Sequence, residues 1–267
     1  MIALSGKLGS GKSTVCAILH DKYAYEIYST GKIQREIAQK MGITTLELNL
    51  RMRQDCSLDH EIDDAVAEAS VRRAGERIIF DSRMAWHFAK GAYRVYVYVD
   101  PTVAAKRVLA DNRGDVEKYS GVQEARDMLL ARAREENARY KRIYGVDNFD
   151  YANYDLIIDS TSLSPEEVAE LIEQYYARGE KAILLSPECL FPAVSGGEGD
   201  ITVTVDSGYH FVTGGTDTLK KHILAGKRII GVSSAVSGSI GSLRKKLLED
   251  YSSETGVKFE SLPENYI

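Results

Sequence analysis

A chain of 267 residues, 44% hydrophobic and 27% charged with only 5 prolines, has the makeup of a folded globular protein, and its length suits one substantial domain plus a smaller companion. Disorder and collagen-like structure are excluded. A net charge of -5, from 34 Lys and Arg against 39 Asp and Glu, argues against nucleic acid or an anionic membrane as the main partner.

The first residues, Met1 to Ser5, form a short apolar run that reads as a buried strand. Gly6-Lys7-Leu8-Gly9-Ser10-Gly11-Lys12-Ser13-Thr14 follows directly, and Val15, Ile18 and Leu19 then show helical spacing. Tyr25 to Tyr28 suggests a second strand, with helical patterns over about 30–41, 44–54 and 59–74. Residues 77–81 and 93–99, rich in β-branched and aromatic side chains, predict strands. A helix over 102–111, a polar stretch over 112–120, a long helix over 121–143, a strand at 156–158 and a helix over 165–177 complete this block. Strands alternating with helices predict an α/β fold with a parallel sheet covered on both faces.

The pattern changes near 178–182, which we read as a domain boundary. A Gly-rich stretch over 195–199 is followed by 201–205 and 209–212 flanking Asp206-Ser207-Gly208, the signature of a hairpin. A helix over 216–224, a strand over 228–232 and a helix over 240–251 predict a smaller α+β domain at 179–267.

The longest apolar runs, such as 95–99 and 201–205, are far shorter than the roughly 18–20 residues a bilayer requires, and no basic-then-apolar leader precedes them. Cys16, Cys56 and Cys189 are odd in number and lack metal-type spacing, as expected for reduced thiols in a cytoplasm. No membrane partner is expected.

Gly6-x-x-x-x-Gly11-Lys12-Ser13 matches the Walker A pattern. Glycines at 6, 9 and 11 let backbone N–H groups of a loop that includes Ser10 and Thr14 wrap a phosphate, while the following helix presents its positive end. Lys12 then neutralises β- and γ-phosphate oxygens and Ser13 is placed to ligate Mg²⁺, so ATP and Mg²⁺ are the expected donor and cofactor. Three further groups bear on the acceptor. Arg35, a helical turn after the cap-like Ser29-Thr30, suits a monophosphate, although alone it reads rather as a solvated helix charge. Asp81 and Arg83 follow an apolar strand, at the end where α/β sheets bind ligands. There Asp81 suits Mg²⁺ or the proton of an attacking phosphate, and Arg83 the acceptor phosphate. Arg132, Glu136 and Arg139 share one face of the long helix. By itself that stripe is an i,i+4 salt-bridge face; after the polar Arg113-Gly114-Asp115 it suits a lid closing on the transferring phosphoryl group.

The ordered set GKLGSGKST, STGKIQRE, EIDDAVAEASVRRAGERIIFDSR and RAREENARYKRIYGVDNFDYANYDLIIDST resembles the cytidylate kinases, especially the shorter type found in archaea and some bacteria, over about residues 1–177. The resemblance implies a P-loop nucleoside monophosphate kinase acting on CMP or dCMP. It places Thr30, Arg35 and Arg83 at the acceptor monophosphate, and Arg132, Glu136 and Arg139 on a sugar- and phosphate-binding stripe. Two positions depart from the pattern: Ser82 stands where a glycine is usual, and Met84 where bacterial cytidylate kinases place an aspartate near the base.

Residues 184–192, 208–215 and 220–227 faintly resemble a ParB/sulfiredoxin-like module, with Thr213-Gly214-Gly215-Thr216-Asp217 replacing its acidic-Gly-His element. His210 and His222 read as packing or surface residues rather than metal ligands. The expected activity is ATP-dependent phosphoryl transfer to a nucleoside monophosphate. The rivals are a P-loop kinase of another small acceptor and a nucleotide-dependent switch whose C-terminal part binds a protein partner.

Overall fold

The computed structural model describes residues 1–43, 47, 48, 51, 57–111, 119–259, 262 and 266, with the side chains of 32, 35, 36 and 57–59 left out. Cys56, Arg113-Gly114-Asp115 and most of the helix expected over 44–54 lie outside the described residues.

The chain is α/β, with a parallel-dominant seven-stranded sheet and a smaller four-stranded one. In the larger sheet β1 (Ile2–Gly6), β2 (Glu26–Ser29), β3 (Ile78–Asp81), β4 (Tyr93–Tyr98), β5 (Leu156–Asp159) and β6 (Ala182–Leu185) run parallel. The short β10 (Ile230–Gly231) pairs antiparallel at the β6 edge, giving the order β10-β6-β5-β4-β1-β3-β2. Between these strands run α1 (Lys12–Tyr23), α2 (Thr30–Lys40), α3 (Ser57–Arg72), α4 (Ala85–Phe88), α5 (Pro101–Ala110), α6 (Val122–Tyr144) and α7 (Pro165–Arg178).

Strand alternation decides what each helix covers. Ile2 and Leu4 of β1, Val95 and Val97 of β4 and Leu156 and Ile158 of β5 face α1 and α7, packing with Val15, Leu19, Val168 and Ile172. The opposite side carries Ala3, Ile78 and Phe80 under Val66 and Ala69 of α3. Local chemistry sets helix ends. The Asp100 carboxylate accepts from the N–H groups of Thr102 and Val103 to open α5, and Ser164 with Glu167 forms a capping box at α7.

The smaller sheet orders β11 (Ser234–Ser237), β8 (Thr202–Asp206), β9 (Tyr209–Gly214) and β7 (Leu190–Pro192), flanked by α8 (Thr216–Leu224) and α9 (Lys245–Thr255). The β8–β9 hairpin turns at Ser207 and Gly208, φ 49° and 88°, with Asp206 opposite Tyr209. Positive φ at both central positions matches the right-handed twist of the strands. The last helix starts at Lys245 rather than at 240. The Ile240 N–H is taken by the Asp206 carboxylate, and the Leu243 N–H, which a helix begun at 240 would spend on its first intrahelical bond, goes to the Tyr266 carbonyl. The strand expected over 228–232 is only the two-residue β10.

The position 178–182 runs from the last residue of α7 to the first of β6, so it falls between β5 and β6, neighbouring strands of the seven-stranded sheet. One apolar cluster also spans it. Tyr96, Tyr98, Tyr151, Tyr154 and Ile157 pack with Leu190, Val203 and Val212 of the second sheet and with Ile201 just before β8. The second sheet's other face buries Phe191, Tyr209 and Phe211 against Leu243, Leu248 and Tyr266.

Candidate active site

Register brings the motif residues to one edge of the large sheet. Leu4 pairs with Asp81, Ser29 with Asp81, Gly6 with Val97 and Tyr98 with Asp159, so every loop carrying candidate chemistry leaves a carboxyl end at the same level. Open α/β sheets bind ligands there.

The glycines of the first loop have steric reasons to be glycines. A Cβ on Gly6 would lie 2.6 Å from the Val97 carbonyl oxygen. One on Gly9, at φ 78°, would lie 2.8 to 3.0 Å from the Ala104 backbone and side chain. Gly9→Ala should therefore push the loop off α5 in addition to a left-handed backbone cost of roughly 1–2 kcal/mol. A lowered melting temperature with weakened nucleotide binding checks this; unchanged binding would contradict it.

Lys12, on the first turn of α1, is ion-paired with Asp81, whose second oxygen accepts from Ser29 Oγ at 3.1 Å. Thr30 Oγ1 donates to the Asp81 backbone carbonyl at 3.4 Å. Ser13 and Thr14 are exposed beside this pair. The Ser10 hydroxyl is buried.

Arg83 and Glu136 form an ion pair, and Arg132 Nε donates to the same Glu136 oxygen at 3.2 Å. Glu136 on α6 thus joins two arginines that are 49 residues apart in sequence. The Arg83 backbone is held by Ser5 Oγ, which donates to the carbonyls of Ser82 and Arg83 at 3.0 and 3.3 Å. Arg139 lies one turn further along, its guanidinium 5.2 Å from the Tyr140 ring centre. Arg35 lies on α2, the helix that opens at Thr30; its side chain is outside the described residues. Ser82, in place of a glycine, accepts the Met84 N–H and closes the turn into α4, and Met84 is 2% exposed.

Two cavities are lined in part by the glycine loop. One is lined by Lys7, Arg83, Leu129, Glu136, Asn137 and Phe149, on the α6 side. The other, about 260 Å³, is lined by Gly9, Gly11, Thr14, Arg107, Ser160 and Leu163. Arg107 was not singled out by sequence reasoning. Its guanidinium donates to the Gly9 carbonyl at 3.4 Å, Ser160 Oγ at 3.1 Å and the Ser160 carbonyl at 2.8 Å, tying the glycine loop to the loop after β5. Burial lowers its pKa below the usual arginine value. Mid-helix between Lys106 and Val108 it carries no motif, and only its contacts distinguish it.

Cys16 and Cys189 are buried free thiols, with burial pushing Cys16 up to about 12. No cluster of three or more metal-ligating His, Cys, Asp or Glu side chains occurs among the described residues. His210 is fully buried and His222 half-buried. No described helix is long and apolar enough to cross a membrane.

The model of the cytidylate kinase-like family matches residues 1–162. The chain belongs to that family. Membership places it among the nucleoside monophosphate kinases. A cytidylate kinase of Natronomonas pharaonis is 34% identical over 65% of this chain and 87% of its own length, and one of Sulfurisphaera tokodaii is 28% identical over 66% and 94%. An S-adenosylmethionine-dependent nucleotide dehydratase of Lacinutrix mariniflava is 34% identical over 66% of this chain, which spans only 36% of that longer protein. A shikimate kinase from Bacteroides thetaiotaomicron aligns over 66% of this chain and 97% of its own, with 17% identity and a TM-score of 0.48. The family match stops at residue 162, so the ParB/sulfiredoxin-like resemblance of the C-terminal part gains no support from it.

Proposed function

We propose that the protein transfers the γ-phosphoryl group of ATP to the phosphate of CMP or dCMP. Supporting this reading is the family match over 1–162, whose charged motif residues with described side chains lie at one carboxyl edge of the sheet. Residues 1–178 carry the chemistry and 179–267 form an accessory α+β part.

In this reading the backbone amides of Gly9 to Thr14 hold the donor phosphates at the head of α1. A polyphosphate bears more negative charge than the single Asp81 carboxylate, so Lys12 turns from Asp81 to the β- and γ-oxygens. Arg107 borders the cavity that takes the donor's nucleoside end. Thr30, Arg35 and Arg83 hold the acceptor phosphate, and Glu136 orients the acceptor sugar while fixing Arg83 and Arg132.

An oxygen of the acceptor phosphate attacks the γ-phosphorus as the bond to the β–γ bridging oxygen breaks, releasing ADP and the acceptor diphosphate. Since that phosphate is already mostly dianionic near neutral pH, charge neutralisation by Lys12, Arg132 and Arg139 carries more of the rate than proton removal. The exposed Ser13 hydroxyl and the Asp81 carboxylate are hard oxygen donors in the small number that Mg²⁺ takes from protein when phosphates and water supply the rest. They would hold that ion, which when bound contributes further neutralisation of the phosphate charge.

Arg83→Ala should lower acceptor efficiency about 10- to 150-fold, the worth of one charge-assisted hydrogen bond, while ATP affinity measured without acceptor stays near wild type. An equal loss of ATP affinity would move Arg83 out of the acceptor site. A second reading, a P-loop kinase of a different small acceptor, rests on Met84, which is buried rather than presenting a carboxylate to a base.

A further inference from the structure

The first residue of the glycine loop is held from the far end of the chain. Lys7 follows Gly6 directly, its N–H donates to the Val97 carbonyl at 3.3 Å, and its own carbonyl accepts the Ser10 N–H at 3.3 Å. Its side chain leaves the loop for the second sheet. The amine donates to the Gly208 carbonyl at 3.0 Å and lies 4.3 Å over the Tyr98 ring. Tyr98 Oη donates to that same carbonyl at 3.0 Å. Two donors from the large sheet and its loop therefore converge on one peptide at the tip of the β8–β9 hairpin.

The tip is built to stay in place. Ser207 and Gly208 both take positive φ, the Ser207 hydroxyl donates to Asp206, and the other Asp206 oxygen accepts the Ile240 N–H at 2.8 Å. Directly behind the tip, His210 Nε2 and the Tyr151 hydroxyl lie 2.8 Å apart, and the His210 ring is 4.3 Å from Tyr98. Space is tight: a Cβ on Gly208 would sit 2.9 Å from the Lys7 amine. Burial lowers that amine to about 8, so placing it here costs free energy that a solvated lysine would not.

We propose that Lys7 is a positioning residue for the phosphate donor, bracing the glycine loop against the hairpin tip so that the loop's amides are already arranged when ATP arrives. This rests on the donor-site reading above. Pre-arranged donors bind without the cost of ordering them, so loss of the brace appears as weaker donor binding rather than as lost acceptor recognition. The hairpin lies beyond residue 162, outside the stretch that matches the family model, so the brace comes from the accessory part of this chain.

The test compares the full chain with K7M, which keeps the bulk but not the amine, and with Y98F, which keeps the ring but not the hydroxyl. Steady-state constants for ATP and CMP are measured with melting temperature alongside, and K12A serves as the donor-site control. K7M should raise the KM for ATP about tenfold and Y98F severalfold, with the KM for CMP within about twofold of wild type. The double variant should raise it by less than the product of the two single effects, because both donors act through one carbonyl. A K7M chain with lowered melting temperature and an unchanged ATP KM would overturn the proposal, as would equal losses for both substrates. If K12A itself keeps full turnover, the donor-site reading fails, which is distinguishable from failure of the brace alone.

Discussion

Lys12→Ala should cut phosphoryl transfer by about 100- to 1,000-fold, the range seen when one fixed electrostatic group is removed from a charge-stabilising site. The loop's backbone survives the change, since Gly6, Gly9 and Ser10 are held by contacts to Val97, Ala104, Arg107 and Lys7 rather than by the Lys12 side chain. Asp81 keeps Ser29 as a partner, and its carboxylate is not sealed from water, with 14% of the side chain exposed. Folding should therefore be retained. Acceptor-dependent ADP release, measured with saturating ATP and circular dichroism as the fold control, reads the effect. Wild-type turnover in a folded variant would place the donor site elsewhere.

Removing residues 179–267 should have a still broader effect. The Tyr98 and Tyr151 rings pack on His210, and Tyr96 and Tyr154 belong to the same cluster, covered by Leu190, Val203 and Val212. An aromatic side chain buries roughly 150–250 Å², about 4–6 kcal/mol at about 25 cal/mol per Å². Uncovering even half of that on three of these tyrosines equals the stability of an ordinary domain, about 5–15 kcal/mol. The sheet would also lose β6 and β10 and expose β5 as an edge. A chain ending at Arg178 should thus show hydrogen exchange well above the full chain in β4 and β5, and bind ATP poorly. Full protection of those strands would show that residues 1–178 hold a core of their own.

Both predictions depend on features that differ in how plainly the sequence carries them. The strand–loop–helix at 2–23 is legible because its signals are local: an apolar run, glycines at fixed spacing, then helical periodicity. The same holds for Asp81 and Arg83 at the end of β3 and for the β8–β9 hairpin with Ser207-Gly208 at its turn. Strand β6 was not legible, since Ala182-Ile183-Leu184-Leu185 is a four-residue apolar run without alternation, a strand by virtue of pairing with β5 and β10. The serine-containing β11 is a strand by virtue of pairing with β8.

Long-range partnerships were less legible still. Sequence spacing puts Arg132 and Glu136 on one helical face, but nothing local announces that Arg83 reaches Glu136 or that Lys7 reaches Gly208, 201 positions away. Arg107 has helical neighbours on both sides and no motif; its importance lies in touching Gly9 and Ser160 at once. Such residues are defined by tertiary contacts, which helical and strand periods do not encode.

The reading as a whole turns on which acceptor receives the phosphoryl group. The protein with ATP and Mg²⁺ would be offered CMP, dCMP, UMP, AMP, GMP and non-nucleotide acceptors, with ADP release followed and each product identified by mass. CMP or dCMP should stimulate ADP release most strongly and yield the corresponding diphosphate, with Lys12→Ala lowering the signal by roughly the same 100- to 1,000-fold expected above. Stimulation by a different acceptor alone, or ADP release that no acceptor stimulates, would contradict the assignment.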